Sequence, residues 1–527
     1  MECLSRERLL FHHMGDLFVF HPYSFSIFLN SVIILNPTTF YRDPKNPLCD
    51  GILIAEVMSF LGKTTMDYGP KLILMGCLPK IESIVTERKK SMSLLLGPMC
   101  QHIPGKKGLT DHSDVKRLMP AKEVYIPLFA GNNSQIELLV SEGDHVFIGT
   151  RLANTKSAFP VPLYSSVSGT VKGVTKRPHN SLKPQQHLVI ELDEQQEAIQ
   201  AFPPMDWHNA SHDELVEFVK ESGIIGQGGA GFPTYVKYQK VENINTLVIN
   251  AVECEPYITA DYKCVMDYPE QFVHGVRILQ KMAEVDTVLI GVKKTHPDLI
   301  NAIREEISRE HAAGIEVREV PDVYPMGGER TLIRTLLKRE YKRLPGECGV
   351  IVNNANTAIL VARAFEMGQA QAKKYVTFSG EGLKYPTNVL VPVGMSVAEI
   401  IQQIGGFVEK QESLKLIAGG PMMGKTMVSD QIVIDRAMNA ITVLKNHDEE
   451  EMTCMRCGNC TQHCPIGLQP VRIANAVKMN DAEEMEKRGA MQCIECGLCT
   501  YVCPSHIQVT ENVRKAKRTL MMKARKK

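Results

Sequence analysis

Residues 454–465 read Cys-Met-Arg-Cys-Gly-Asn-Cys-Thr-Gln-His-Cys-Pro, and residues 493–504 read Cys-Ile-Glu-Cys-Gly-Leu-Cys-Thr-Tyr-Val-Cys-Pro. Both stretches have the spacing C-x2-C-x2-C-x3-C-P. In this spacing, three thiolates of one tight loop bind three iron corners of a [4Fe–4S] cluster, and the fourth cysteine binds the other cluster. The sequence therefore predicts two [4Fe–4S] clusters whose fourth ligands are exchanged.

The eight cysteines divide into two predicted ligand sets. One set is Cys454, Cys457, Cys460 and Cys503, and the other is Cys464, Cys493, Cys496 and Cys499. Two tetrahedral zinc sites are the alternative, since zinc also binds C-x2-C pairs. Zinc gives no reason for a third C-x2-C step or for the trailing Cys-Pro, so the pattern favours iron–sulfur. The helical pattern between the runs predicts a helical two-cluster ferredoxin domain over residues 445–510.

The overall composition excludes several classes of protein. The chain has 527 residues, with 60 Lys and Arg against 59 Asp and Glu, and 44% of its residues are hydrophobic. A protein that coats nucleic acid needs a basic excess, so no nucleic-acid partner is expected. Eight of the 15 cysteines lie in two tight groups, which indicates metal ligation in a reducing compartment rather than a secreted disulfide framework.

The two ends of the chain differ from the rest. Residues 1–98 form an atypical N-terminal extension, in which residues 17–41 contain no charged side chain. Polar residues and prolines interrupt this stretch, so we expect an extension without a functional role, with Met92 as a plausible start. A membrane anchor is the other interpretation. Residues 511–527 are a basic tail, for which we expect a solvated end or a docking segment for an acidic partner.

Three different patterns fill the region between these ends. Residues 99–200 contain short strands separated by turns, and they resemble the barrel-sandwich hybrid of lipoyl and biotinyl carriers without the carrier lysine. Residues 205–375 alternate strands and helices, which predicts an α/β domain with a largely parallel sheet. Residues 376–440 form a small α+β module. The fold class is therefore multidomain α/β and α+β.

A glycine-rich loop lies at the start of the α/β domain. Residues 226–231 read Gly-Gln-Gly-Gly-Ala-Gly and are followed by Lys237. Backbone N–H groups of such a loop can bind a phosphate, and a nearby cation neutralises it. The loop follows a helical pattern rather than a strand, so an ordinary dinucleotide-binding fingerprint is disfavoured.

Three further polar motifs follow along the same domain. They are Asn-Ala-Val-Glu-Cys-Glu-Pro at 250–256, Tyr-Pro-Met-Gly-Gly-Glu at 324–329 and Val-Asn-Asn-Ala-Asn-Thr-Ala at 352–358. Each motif alone is more often a turn or a helix cap than a site. Their order, with Gly-Gly-Pro-Met-Met-Gly at 419–424 and the two cysteine runs, makes the sequence similar to the RnfC family. RnfC is the peripheral flavin and iron–sulfur subunit of the Rnf ferredoxin:NAD oxidoreductase complex.

The resemblance implies a fold and a set of cofactors. It extends to the proline-reductase electron-transfer protein PrdC and the cobalamin reductase PduS, and the α/β domain resembles the FMN-bearing, NADH-binding subunit of respiratory complex I. The implied cofactors are FMN and two [4Fe–4S] clusters, with NAD(H) as substrate, and residues 376–440 would be a β-grasp (SLBB) module. Because NAD(H) exchanges two electrons and a cluster accepts one, flavin would connect them.

The resemblance also assigns roles to individual residues. The flavin site would comprise Gly226, Gly228, Gly229, Gly231, Lys237, Asn250, Asn353, Asn354 and Thr357. The face that binds the nicotinamide nucleotide would carry Glu253, Glu255 and Glu329. Cys100 and Cys254 are cysteines near these motifs and are either redox thiols or, more commonly, inert side chains.

Three functions remain open at this point. The first is an NADH-linked oxidoreductase subunit of an Rnf-type complex, cytoplasmic and peripheral to the plasma membrane, whose partners are membrane subunits and a ferredoxin-like donor. The second is a PrdC-like or corrin-reducing electron donor to a soluble reductase. The third is a non-catalytic iron–sulfur relay or scaffold protein.

Overall fold

The computed structural model describes residues 102–129, 135–447 and 449–525. The predictions for residues 1–98, for Met92 and for Cys100 lie outside these ranges. None of the helices in the described ranges has the length and apolar character that a bilayer crossing requires.

The first domain is a β sandwich of short strands. Its strands are β1 (Lys116–Arg117), β2 (Glu123–Pro127), β3 (Ile136–Leu138), β4 (His145–Val146), β5 (Arg151–Thr155), β6 (Pro162–Tyr164), β7 (Gly169–Arg177) and β8 (Gln185–Leu192). Strands β2-β8-β7-β4 form one antiparallel sheet and β3-β5-β6 form another. Alternate side chains of both sheets, among them Val124, Leu152 and Ile190, are fully buried in a shared core, as expected for two sheets that pack face to face.

The α/β domain follows. Its elements are α1 (His212–Glu221), β9 (Thr246–Ala251), α2 (Ala260–Asp267), α3 (Pro269–Met282), β10 (Thr287–Lys293), α4 (Pro297–Arg309), β11 (Ile315–Val320), α5 (Glu329–Leu337), β12 (Val350–Asn354) and α6 (Ala355–Met367). The strand order is β11-β10-β9-β12, and every neighbouring pair is parallel. All four carboxyl ends therefore lie at one edge of the sheet, where ligands of α/β folds bind.

A third domain contains a mixed sheet. Its elements are β13 (Lys373–Ser379), β14 (Thr387–Pro392), α7 (Val397–Gln403), β15 (Leu414–Ala418), β16 (Lys425–Met427) and β17 (Ala440–Lys445). The sheet order is β1-β14-β13-β17-β15-β16, so a strand that precedes the sandwich in sequence completes this sheet. The predicted boundary at 375/376 falls within β13, and β17 extends past residue 440.

The cysteine runs lie in a small helical domain. Its helices are α8 (Asn459–Gln462), α9 (Pro470–Lys478), α10 (Ala482–Lys487), α11 (Leu498–Tyr501) and α12 (Val509–Arg525). The expectation that the basic tail is a solvated end was wrong for residues 511–525. Helix α12 buries Val513, Ala516 and Leu520 against α9 and α10. These three apolar residues have helical spacing, and the many basic residues between them obscured it.

Candidate cofactor sites

The predicted motifs meet at the carboxyl edge of the parallel sheet. Asn250, near the end of β9, donates from Nδ2 to the carbonyl of Gly327 over 2.8 Å. A Cβ atom at Gly327 would lie 3.0 Å from the Cys254 sulfur, so the second and third motifs are in close contact. Parallel pairing brings these motifs together, although about 70 residues separate them in sequence.

The glycine-rich loop closes over the start of helix α6. The N–H of Gly226 donates to the Phe232 carbonyl over 2.8 Å, and the N–H of Gln227 donates to the Thr357 hydroxyl over 3.1 Å. Residues 228–230 are exposed, and the positive φ angle of 93° at Gly229 favours glycine. In the described part of the chain, no atom lies within 4 Å of a Cβ placed at Gly229. The loop therefore leaves open space beside accessible backbone, which fits the phosphate group of FMN.

Lys237 faces a different part of the site. Its Nζ donates to the carbonyl of Val352, at the end of β12, over 2.6 Å. Burial lowers the pKa of this amine, while Glu329 opposes the shift. The assignment of Lys237 to the flavin phosphate thus stays a prediction, because the amine is bound to a strand carbonyl here.

The asparagines of the last motif form a buried polar group. Asn354 and Asn356 donate from Nδ2 to the two oxygens of Asp261, over 2.5 and 2.7 Å. Asn354 also caps helix α6 by accepting from the N–H of Asn356, while Asn353 bonds to the Tyr238 hydroxyl. Asp261 and Asn356 were not among the predicted residues. No local signal marks Asp261, which reaches the site only because α2 packs beside α6.

Glu253 and Glu255 have buried carboxyl groups rather than open ones. Glu253 accepts a hydrogen bond from the N–H of Asp261 over 2.8 Å, at the start of α2. Burial raises its pKa to about 7, while Lys107 opposes the shift. Glu255 accepts from the N–H of Met423 over 2.6 Å, and its other oxygen is buried without a hydrogen-bond partner among the described residues. Their predicted role in nicotinamide binding therefore competes with a role in holding backbone.

Glu329 and Cys254 complete the predicted set. Glu329 accepts a hydrogen bond from the Tyr341 hydroxyl over 2.7 Å, at the first residue of α5. Burial raises the pKa of the Cys254 thiol to about 11. A thiol with a raised pKa is a poor nucleophile near neutral pH, which favours the inert interpretation of Cys254.

The carboxyl group of Glu255 makes the stability of the protein depend on pH. Burial raises its pKa from 4.5 to about 7, so the folded state favours the neutral acid. This stabilisation is complete below pH 4.5 and is lost as the pH rises through 7, at a cost of roughly 3 kcal/mol. We expect Glu255→Gln to raise the unfolding temperature relative to wild type at pH 8 but not at pH 5.

Thermal unfolding of both proteins across this pH range checks the expectation. Glu412→Gln, at an exposed glutamate of the third domain, serves as the matched control and should follow wild type throughout. A constant difference between Glu255→Gln and wild type from pH 5 to pH 8 would show that the carboxyl of Glu255 does not titrate in this range.

Four cysteines of the helical domain share one cavity. The cavity is lined by Cys464, Cys493, Cys496 and Cys499 together with the apolar side chains of Ile466, Leu468, Ile473 and Val513. In the described ranges, no three His, Cys, Asp or Glu side chains converge at the spacing of a single metal ion, whereas a cubane places its four thiolates on four separate iron corners. The cavity thus fits the second predicted ligand set, which includes the exchanged Cys464.

The two cysteine groups differ in exposure. Cys464, Cys496 and Cys499 are each less than 10% exposed, whereas Cys454 and Cys457 are exposed. Cys460 and Cys503 lie in between and pack together with Ile507 and Val509. One predicted cluster position is therefore enclosed and the other is open at the surface.

The enclosed cysteine loop packs against the α/β domain. The buried Tyr324 hydroxyl donates to the carbonyl of Cys496 over 2.6 Å. Tyr324, Cys496 and Leu498 form an apolar cluster, against which Met422 and Cys254 also pack. A Cβ atom at Gly497 would overlap with the carbonyl oxygen of Met422. Glu255 binds the neighbouring Met423, so three domains meet at the enclosed cysteine loop.

This fold and these sites define an iron–sulfur flavoprotein with four domains. Known domain families match the chain in the same order: the RnfC barrel sandwich hybrid domain at residues 100–195, the Nuo51 FMN-binding domain at 219–363, the SLBB domain at 375–426 and the 4Fe-4S dicluster domain at 447–512. The predicted fold class and the predicted cofactors, FMN and two [4Fe–4S] clusters, are confirmed.

The similar proteins give the family. An RnfC-type subunit of the Na⁺-translocating ferredoxin:NAD⁺ oxidoreductase complex of Acetobacterium woodii is 35% identical over 76% of this chain and 92% of its own length. Its counterpart in the proton-translocating complex of Clostridium ljungdahlii is 33% identical over 66% of this chain and 77% of its own length. A solved NAD⁺-reducing [NiFe]-hydrogenase is 18% identical, with a TM-score of 0.41 over 61% of this chain and 63% of that one. The chain belongs to the RnfC family, which confirms the predicted resemblance.

Proposed function

We propose that this protein transfers electrons between NAD(H) and a protein partner, as the flavin and iron–sulfur subunit of an Rnf-type ferredoxin:NAD⁺ oxidoreductase complex. The observation that carries the proposal is the contact between Tyr324 and the Cys496 loop, because it joins the FMN-binding domain to the enclosed cluster position. The names of the relatives support a position beside other subunits of such a complex. A peripheral site on the cytoplasmic face of the membrane is part of this proposal.

The residues of the chain divide the work among them. Bound FMN would exchange electron pairs with a nicotinamide and single electrons with iron–sulfur clusters. The glycine-rich loop would bind the phosphate, and Asn354 and Thr357 hold this loop against α6. The apolar lining around Cys464 and Cys496 excludes water from the enclosed position, and burial of this kind tunes the reduction potential of a cluster.

The exposed cysteine run is the proposed contact with the partner. Cys454 and Cys457 are exposed, and Met452 and Met455 beside them are 51% and 60% exposed. An apolar, adaptable methionine surface around an open cluster position suits a transient contact with a redox protein.

A relay protein without NAD(H) chemistry is the second candidate. The buried, hydrogen-bonded state of Glu253 and Glu255 favours it, because these acids were predicted to face the nicotinamide nucleotide. This candidate retains the clusters and the contact with the partner, but it assigns no substrate to the α/β domain.

One experiment separates the two candidates. Protein purified without oxygen and reconstituted with iron, sulfide and FMN should show flavin absorption that NADH bleaches. NADPH at the same concentration is the control. Bleaching by NADH supports the oxidoreductase, whereas bound flavin and iron with no bleaching would assign the protein to the relay class.

A further inference from the structure

A buried polar group lies beneath the glycine-rich loop. Gln227 of this loop is 1% exposed, and Lys374 of β13 and Gln371 just before it are 3% and 8% exposed. The Lys374 Nζ donates to the Gln227 Oε1 over 2.5 Å, and the Gln371 Nε2 donates to the same oxygen over 3.0 Å. The Gln227 Nε2 donates in turn to the Ile225 carbonyl over 2.8 Å. Side chains of the third domain thus fix the loop from below.

Lys374 is a costly residue at this place. Burial lowers the pKa of its amine, and the carboxylates of Asp261 and Asp435 oppose the shift. A buried charge without a compensating group costs several kcal/mol, and an apolar side chain of similar length avoids this cost. Packing alone therefore gives no reason for a lysine here, whereas a charge-dependent role does.

The same lysine connects to the other side of the loop. Asp261, which interacts with Lys374, accepts a hydrogen bond from Asn354 over 2.5 Å. A Cβ atom at Gly228 would contact the Asn354 Cβ at 3.7 Å. A ring of contacts therefore runs from Gln227 through Lys374, Asp261 and Asn354 back to Gly228. Without the lysine, the negative charge of Asp261 would lie uncompensated beside a loop that must bind an anion.

We propose that Lys374 is a positioning residue for the phosphate of the flavin nucleotide: it fixes Gln227 beneath the glycine-rich loop and neutralises Asp261, so that a phosphate dianion can bind there. This inference rests on the proposed function, because it requires that the loop bind FMN. It differs from the expectation for Lys237, whose amine binds a strand carbonyl.

Flavin titrations of the full-length protein, stripped of flavin, test the proposal. Lys374→Met should weaken FMN binding about tenfold, as for loss of a charged hydrogen-bond partner, and should leave the affinity for riboflavin, which lacks the phosphate, unchanged. Quenching of flavin fluorescence measures both affinities. Lys373→Met, at the exposed neighbour on the same strand, is the matched control and should bind both flavins like wild type.

A second variant isolates the charge effect. Asp261→Asn in the Lys374→Met background removes the uncompensated carboxylate and should restore most of the FMN affinity. Equal losses for FMN and riboflavin, or a Lys374→Met protein with wild-type FMN affinity, would overturn the role of Lys374 alone. Failure of wild type to bind FMN would overturn the proposed function as well. Cluster absorption and the unfolding temperature show whether each variant is folded.

Discussion

The Cys464→Ala/Cys496→Ala double variant is expected to lose one [4Fe–4S] cluster and to keep the other. Cys464 belongs to the first cysteine run, but it lines the same cavity as Cys493, Cys496 and Cys499. Because both replaced cysteines would bind the enclosed cluster, the double variant should lose about four iron atoms per chain, no more than either single variant. Iron and sulfide analysis after anaerobic reconstitution measures this loss.

A second double variant provides the contrast. Cys464→Ala/Cys503→Ala removes the exchanged ligand from each predicted set and should lose about eight iron atoms per chain. The opposite result, in which Cys464→Ala/Cys496→Ala loses both clusters and Cys464→Ala loses only the cluster of its own run, would show that each run binds its own cluster. Electron paramagnetic resonance of the reduced proteins identifies which signal is lost.

The second large effect is expected for Gly497→Ala. Gly497 has a φ of 79° and adjoins the Met422 carbonyl so closely that a Cβ atom would overlap with it. The variant must therefore displace either the enclosed cysteine loop or the 419–424 loop that Glu255 binds. We expect a loss of about 3 kcal/mol of stability and a much slower reduction of the clusters, while NADH still bleaches the flavin.

Gly458→Ala is the matched control for this substitution. Gly458 occupies the same place in the first cysteine run and has a φ of 85°, but a Cβ atom added there would have no neighbouring atom of the described residues within 4 Å. It should show the backbone strain alone, about 1 kcal/mol. Equal losses of stability and of cluster reduction in both variants would contradict a special role for the contact between Gly497 and Met422.

The confirmed predictions rest on features that lie close together in sequence. The two C-x2-C-x2-C-x3-C-P runs indicated the clusters, and the alternation of strands and helices indicated the α/β domain. The basic tail was misjudged, because charge was weighed above the helical spacing of Val513, Ala516 and Leu520. The residue roles at the flavin site stay predictions.

The sequence by itself determined the fold class, the family and the cofactors, because ligand spacing and hydrophobic periodicity are local properties of the chain. Only the tertiary structure decided that Lys374 lies beneath the glycine-rich loop and that Glu255 binds the backbone beside Gly497. More than 140 residues separate Lys374 from Gln227, and more than 160 separate Glu255 from Met423. No local pattern encodes such pairings, since they arise when separate domains pack and bury groups that must then find partners.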